Sequence, residues 1–166
     1  MGVEQTSEYF LTAYKAHADA IFRHCYFRVF SRERAQELTQ DTFMRTWEYL
    51  ARGKSVENMR AFLYRVATNL IIDESRKKKD VPLGALQEKG FDAPTPQSPK
   101  RMQDMLYGKF AKETLEQLDP LYRDAVYMRY IDDLTPKEIA EILGETENVV
   151  SVRIHRGVKQ LREKLV

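Results

Sequence analysis

Apolar residues recur at helical spacing along most of the chain, with one long interruption. From Ser7 to Phe30, and again from Ser31 to Leu50, the period predicts two amphipathic helices. In the second, Ala35, Leu38, Thr42, Phe43, Trp47 and Leu50 fall on one stripe. Ser31 stands where an N-cap is needed, and Glu33 suits the positive end of the helix that follows. Ala51-Arg52-Gly53-Lys54-Ser55 breaks the pattern. A new period through Met59, Phe62, Leu63, Val66, Ala67 and Leu70 predicts a third helix that runs into the basic cluster Arg76-Lys77-Lys78-Lys79.

Residues 81–101 hold Pro82, Gly84, Gly90, Pro94, Pro96 and Pro99, which neither a continuous helix nor a central strand tolerates. The helical period then resumes, predicting helices over Gln103–Leu118, Pro120–Ile131, Pro136–Leu143 and Glu147–Leu165. No useful run alternates with period two. The expected fold is all-α: two small helical domains over 1–80 and 103–166, joined by a flexible linker over 81–102.

Composition narrows the function. With 43% hydrophobic and 31% charged residues the chain can bury cores, so global disorder is excluded. The net charge of +2 is uninformative until its distribution is considered. From Asn148 onward Arg153, Arg156, Lys159, Arg162 and Lys164 face Glu163 alone, whereas the preceding stretch from Lys109 is acidic. This basic helix and the Arg76–Lys79 cluster are two cationic surfaces far apart in sequence. The lone Cys25 excludes an intramolecular disulfide and agrees with a reducing compartment. His17, His24 and Cys25 lack zinc-ligand spacing, so neither a metal nor another cofactor is expected. Nor is a catalytic constellation of nucleophile and base recognisable, and the expectation is a protein that is not an enzyme. No stretch approaches the roughly 20 apolar residues that span a bilayer, and no signal-peptide core is present, so a cytoplasmic location without membrane insertion is expected.

Thr135-Pro136-Lys137-Glu138 is a capping box with proline at the first helical position, and Gly144 ends the helix it starts. A short turn and the basic helix follow, which is the helix-turn-helix arrangement. Val150, Ile154, Val158, Leu161 and Leu165 lie within one arc of the last helix, the side expected to pack on Ile139 and Ile142. The opposite arc carries Asn148, Ser151, Val152, His155, Arg156 and Lys159, and Arg153 is a further cation of the same helix. An exposed valine among hydrogen-bond donors gains nothing in water. In a major groove it could meet a thymine methyl, with Arg156 on guanine and Ser151 on a phosphate or base edge.

Leu118-Asp119-Pro120-Leu121-Tyr122-Arg123-Asp124 through Tyr130, then Leu134 through Gly144 and Val150-Ser151-Val152-Arg153-Ile154-His155-Arg156-Gly157, resembles region four of bacterial RNA polymerase sigma factors. The resemblance implies recognition of the minus-thirty-five promoter element by Asn148, Ser151, Val152, Arg153, His155, Arg156 and Lys159, and contact with the polymerase beta flap. Where that family has a Gly-Thr-Val-Lys-Ser run, this chain has Asn148-Val149-Val150-Ser151-Val152, which implies altered phosphate contacts and an unusual promoter preference.

The first half carries a second match. Ala35 to Phe43 with Arg45 and Trp47 is similar to the sigma region-two helix that docks on the beta-prime clamp. This implies polymerase contacts at Glu37, Leu38, Gln40 and Asp41, of which Glu37, Gln40 and Asp41 share one polar face. Asn58 to Arg76 resembles the minus-ten recognition helix. Arg65, Asn69, Ile72 and Arg76 share an arc and Lys77 follows them, a row suited to phosphates and an unstacked base on separated DNA strands. The resemblance also implies that the loop over 51–57 helps form a pocket for a flipped base, and Phe62, where the family often has tryptophan, is expected to pack.

Two motifs in this order, without the middle domain of larger sigma factors, resemble the small extracytoplasmic-function type. Core RNA polymerase, promoter DNA and an anti-sigma factor are the partners implied. The alternative is a stand-alone helix-turn-helix regulator whose N-terminal helices sense a signal or dimerise. It gives no reason for a second basic recognition helix beside the Glu37–Phe43 docking pattern.

Overall fold

A computed structural model describes residues 2–79 and 112–165. All its regular elements are helical: α1 (Val3–Val29), α2 (Arg32–Ala51), α3 (Met59–Lys79), α4 (Pro120–Tyr130), α5 (Pro136–Leu143) and α6 (Glu147–Leu165). A short helical stretch over 112–116 precedes α4. The chain divides into two compact units, Met1–Asp92 and Ala93–Val166. The linker expected over 81–102 and the start of the helix expected from Gln103 lie outside the described residues.

In the first unit α1, α2 and α3 pack on one another in all three pairings. Ser31 caps α2, its hydroxyl accepting from the Arg34 N–H at 3.3 Å. Asn58 does the same for α3, with Oδ1 accepting from the Ala61 N–H at 3.1 Å. Between them Gly53 takes φ +82°, the left-handed conformation that ends α2 sharply.

The stripe expected on α2 is buried at Ala35, Leu38, Thr42, Phe43 and Leu50. Thr46 is buried in place of Trp47, which is half-buried and meets Phe10 edge-on at 5.4 Å. Threonine is admissible there because Thr42 and Thr46 return their hydroxyls to the Leu38 and Thr42 carbonyls, at 2.7 and 2.8 Å, and leave no donor unsatisfied. On α3 the core residues are Ala61, Leu63, Tyr64, Ala67, Thr68 and Leu70, with Phe62 and Val66 at the margin. Phe62 lies against Tyr49 with ring centroids 4.9 Å apart, the packing role expected of it. His24 is fully buried, its Nε2 3.1 Å from the Thr68 hydroxyl and its ring edge-on to Tyr64 at 5.1 Å.

In the second unit α6 packs on α4 and α5. The capping box forms as expected: the Thr135 hydroxyl accepts from the Glu138 N–H at 3.2 Å, and the Glu138 carboxylate accepts from the Thr135 N–H at 3.2 Å. Gly144 ends α5 at φ +68°. Thr146 opens α6, its hydroxyl accepting from the Val149 N–H at 3.2 Å. Ile139, Ile142 and Val150 are buried, while Ile154, Val158 and Leu161 are half-buried. Arg123 donates to the carbonyls of Leu115, Glu116 and Leu118 at 2.8–3.1 Å, tying α4 to the C-terminal end of the short helix before it.

Candidate nucleic-acid and polymerase interfaces

The helix-turn-helix of the second unit presents Asn148, Ser151, Val152, His155, Arg156 and Lys159 as exposed residues. Val152 is 37% exposed, so the apolar side chain among donors is a real surface feature. Val150, one turn from Ile154, is fully buried, which fixes the rotation of α6 and turns this arc outward. Arg153 departs from expectation. Only 20% exposed, it donates to Glu145 Oε1 at 3.0 Å and ties α6 to the turn before it. Lys164 is also engaged, donating to the Gln117 carbonyl. Arg156, Lys159 and Arg162 are therefore the cations of α6 that face solvent without a described protein partner.

In the first unit Arg65, Asn69, Ile72, Arg76 and Lys77 are all exposed on α3, and Ile72 is 40% exposed. Thr68, next to Asn69, is held by His24 from beneath, so the rotation of α3 that exposes this row is set by a buried polar contact. Beside the row, Glu74 receives Arg34 Nε at 2.6 Å, which pins the end of α3 to the start of α2. The loop after α2 places Lys54 over the Tyr49 ring at 5.2 Å, and the Tyr9 hydroxyl reaches the Val56 carbonyl at 3.5 Å.

On α2 Glu37, Gln40 and Asp41 are exposed together. Leu38 is not part of that surface: at 4% exposure it belongs to the core, because its position one helical turn from Ala35 and Thr42 faces α1 and α3. Glu37 pairs with Arg34, the residue that also holds Glu74. Sequence reasoning did not find this arginine link, although Arg34 and Glu37 stand at helical ion-pair spacing. Among the described residues no group of three or more His, Cys, Asp and Glu is gathered that could hold a metal. Nor is any helix among them long and apolar enough to cross a membrane.

The family profile of Sigma-70 region 2 matches residues 13–81, and that of Sigma-70, region 4 matches residues 111–161. The chain is 33% identical over 159 residues to the ECF RNA polymerase sigma factor SigE of Mycolicibacterium smegmatis, covering 91% of this chain and 59% of that relative. It is 32% identical over 159 residues to ECF RNA polymerase sigma factor SigW of Bacillus subtilis, covering 90% and 84%. The chain belongs to the ECF RNA polymerase sigma factors. The stand-alone regulator is thereby set aside, since region two matches as well as region four.

Among solved structures the fold of this sigma factor is similar to that of CnrH, solved in complex with the cytosolic domain of CnrY, with a TM-score of 0.72 and 20% identity over 96% of this chain and 88% of that one. It is also similar to RpoE of Bartonella quintana, solved with the anti-sigma factor NepR, with a TM-score of 0.69 and 19% identity over 98% of each chain. Sigma factors are transcription initiation factors and not enzymes, and the two matched regions fall one in each helical unit.

Proposed function

We propose that this sigma factor divides promoter recognition between its two exposed arcs. Asn148, Ser151, Val152, His155, Arg156 and Lys159 read the upstream element in duplex form. Arg65, Asn69, Ile72, Arg76 and Lys77, with the loop after α2, engage the downstream element once its strands separate. The observation that supports this most directly is the exposure of Ile72 and Val152 at 40% and 37%, each flanked by amides and cations on a helix matched to a promoter-reading region. Water rewards neither side chain, whereas base methyls and unstacked base faces do.

Polymerase docking falls to Gln40 and Asp41 with Glu37, on the beta-prime clamp; the second unit adds the beta flap. Arg153 is assigned to the turn and Leu38 to the core. The working domains are 1–80 and 103–166 with a linker over 81–102, acting in the cytoplasm. The complex of RpoE with NepR supports an anti-sigma partner for this chain as well. Binding of a labelled promoter duplex with and without core RNA polymerase tests the reading. Tight, sequence-selective binding only with polymerase is expected, and equal selectivity without it would overturn it.

A further inference from the structure

Leu70 is the last buried core residue of α3 among the described residues. Beyond it Ile71 and Glu74 are half-buried, while Ile72, Asp73, Ser75, Arg76 and Lys77 are exposed, so the turns that end the downstream-reading row stand clear of the core. They are tied down at Glu74, whose side chain is only 14% exposed and meets Arg34 of α2. Arg34 Nε donates to Glu74 Oε1 at 2.6 Å, and its NH2 reaches the same oxygen. Its NH1 is drawn the other way, to Glu37 Oε2 on the exposed face of α2. One guanidinium is thus divided between two carboxylates, and Glu74 Oε2 is left buried with no hydrogen-bond partner among the described residues. A buried carboxylate oxygen costs free energy until a donor reaches it.

We propose that Arg34 is a positioning residue that couples polymerase docking on α2 to the downstream-reading end of α3. The inference rests on Glu37, Gln40 and Asp41 being the docking face, as proposed above. The two ion pairs are unequal. The Glu37 side chain is 48% exposed, so water competes for its pair and a partner exchanges it easily, whereas Glu74 is shielded. A polymerase cation that takes Glu37 removes the outer partner of Arg34 and places a like charge beside it. The guanidinium then turns inward. Its Nε and NH2 form a fork that matches a carboxylate, one donor to each oxygen, and this satisfies Glu74 Oε2. The closed pair holds the overhanging turns, and with them Ile72, Arg76 and Lys77, in one position before DNA arrives. Less ordering is then left for DNA binding to offset, which raises affinity without a new base contact. Coupling of this kind is reciprocal: downstream DNA bound on α3 tightens the hold of polymerase on α2 by the same factor.

Hydrogen exchange of the full chain, alone and bound to core RNA polymerase without DNA, tests this over residues 72–77. Polymerase should slow exchange there by about fivefold or more, the size of a modest allosteric coupling. Glu37→Gln removes the competing charge without repelling Arg34, so the free variant should show slowed exchange with no polymerase present. Arg34→Ala should abolish the slowing in both settings, and Arg34→Lys, which keeps the charge but lacks the fork, should not restore it. In the polymerase complex, Arg34→Ala should also weaken binding of a single-stranded oligonucleotide carrying the downstream element by a similar factor, while upstream base preference stays unchanged. Slowing by polymerase that persists in full in Arg34→Ala would mean that polymerase covers α3 directly, and would overturn the proposal. So would full restoration by Arg34→Lys. Two further results overturn it in different places. Unchanged exchange in free Glu37→Gln refutes the competition for Arg34, whereas slowing in free Glu37→Gln but none with polymerase refutes the docking face.

Discussion

A Cβ placed on Gly157 would stand 2.5 Å from Cγ2 of Val126, closer than two carbon atoms approach. Gly157 is buried in the middle of α6, where it lets that helix cross α4 nearly backbone to side chain, and Tyr122 Cβ would lie only 3.2 Å away. The glycine therefore sets the distance at which the recognition helix sits on its support.

Replacing Gly157 by Ala should accordingly destabilise the second unit. Alanine gains up to about 1 kcal/mol of helix propensity over glycine. The clash outweighs it, because Val126 is β-branched and buried and Tyr122 Cβ is bonded directly to a helix backbone and cannot swing aside, so a net loss of about 1–2 kcal/mol is expected. Chemical unfolding measures it, and the loss should shrink when Val126→Ala is present in the same chain. Equal losses in both backgrounds would show that the contact is not the cause.

Arg153 and Arg156 should behave differently although three residues separate them. Arg156→Ala is expected to cost about 1–3 kcal/mol on the preferred promoter and to relax one base position. Arg153→Ala should leave base preference intact and lower stability by less than about 1 kcal/mol, since it removes a partly exposed pair with Glu145. Binding to duplexes varied one base pair at a time distinguishes them.

Reversing the charge of Asp41 should weaken binding to core polymerase while leaving the melting temperature unchanged. Glu37→Lys should weaken it too, but should also disturb the Arg34 link to Glu74 and lower the melting temperature. A pull-down paired with thermal melts checks both. Undiminished polymerase capture by folded Asp41→Lys would remove α2 from the docking surface.

His17 is held below the usual histidine pKa, first by partial burial and then by the Arg60 charge. The folded state therefore disfavours its proton, and the unfolded chain binds more protons between the lowered value and about 6.5. Stability contributed by neutral His17 is present above about pH 6.5 and is lost as pH falls through that window. Melting curves at neutral and mildly acidic pH should show a smaller acid-induced drop for His17→Gln than for the natural chain. An identical drop would contradict this.

The helices and their exposed faces were legible in the sequence because period and capping residues act locally. Ser31, the Thr135–Glu138 box and Gly144 each perform the role their residue types imply. The rows on α3 and α6 came out exposed because apolar residues on the opposite arcs leave them no other orientation. What escaped depends on contacts between elements. Arg153 reads as one more cation on a basic helix until Glu145 is found beside it. Leu38 sits between Glu37 and Gln40 in sequence yet faces inward, since neighbours in a helix point about 100° apart. His24, considered beside Cys25 for a metal, is instead a buried strut to Thr68 from a helix 44 residues away.

The central claim is that one chain directs polymerase through two separate promoter-reading surfaces. Transcription by core polymerase plus this chain, from a library randomised at both elements, tests it most directly, because sequencing the transcribed templates reports each element separately. The account predicts two enriched blocks, with Arg156→Ala relaxing only the upstream block and Asn69→Ala only the downstream one, and nearly additive effects in the double variant. Enrichment that does not depend on the chain, or an Arg156→Ala effect confined to the downstream block, would contradict it.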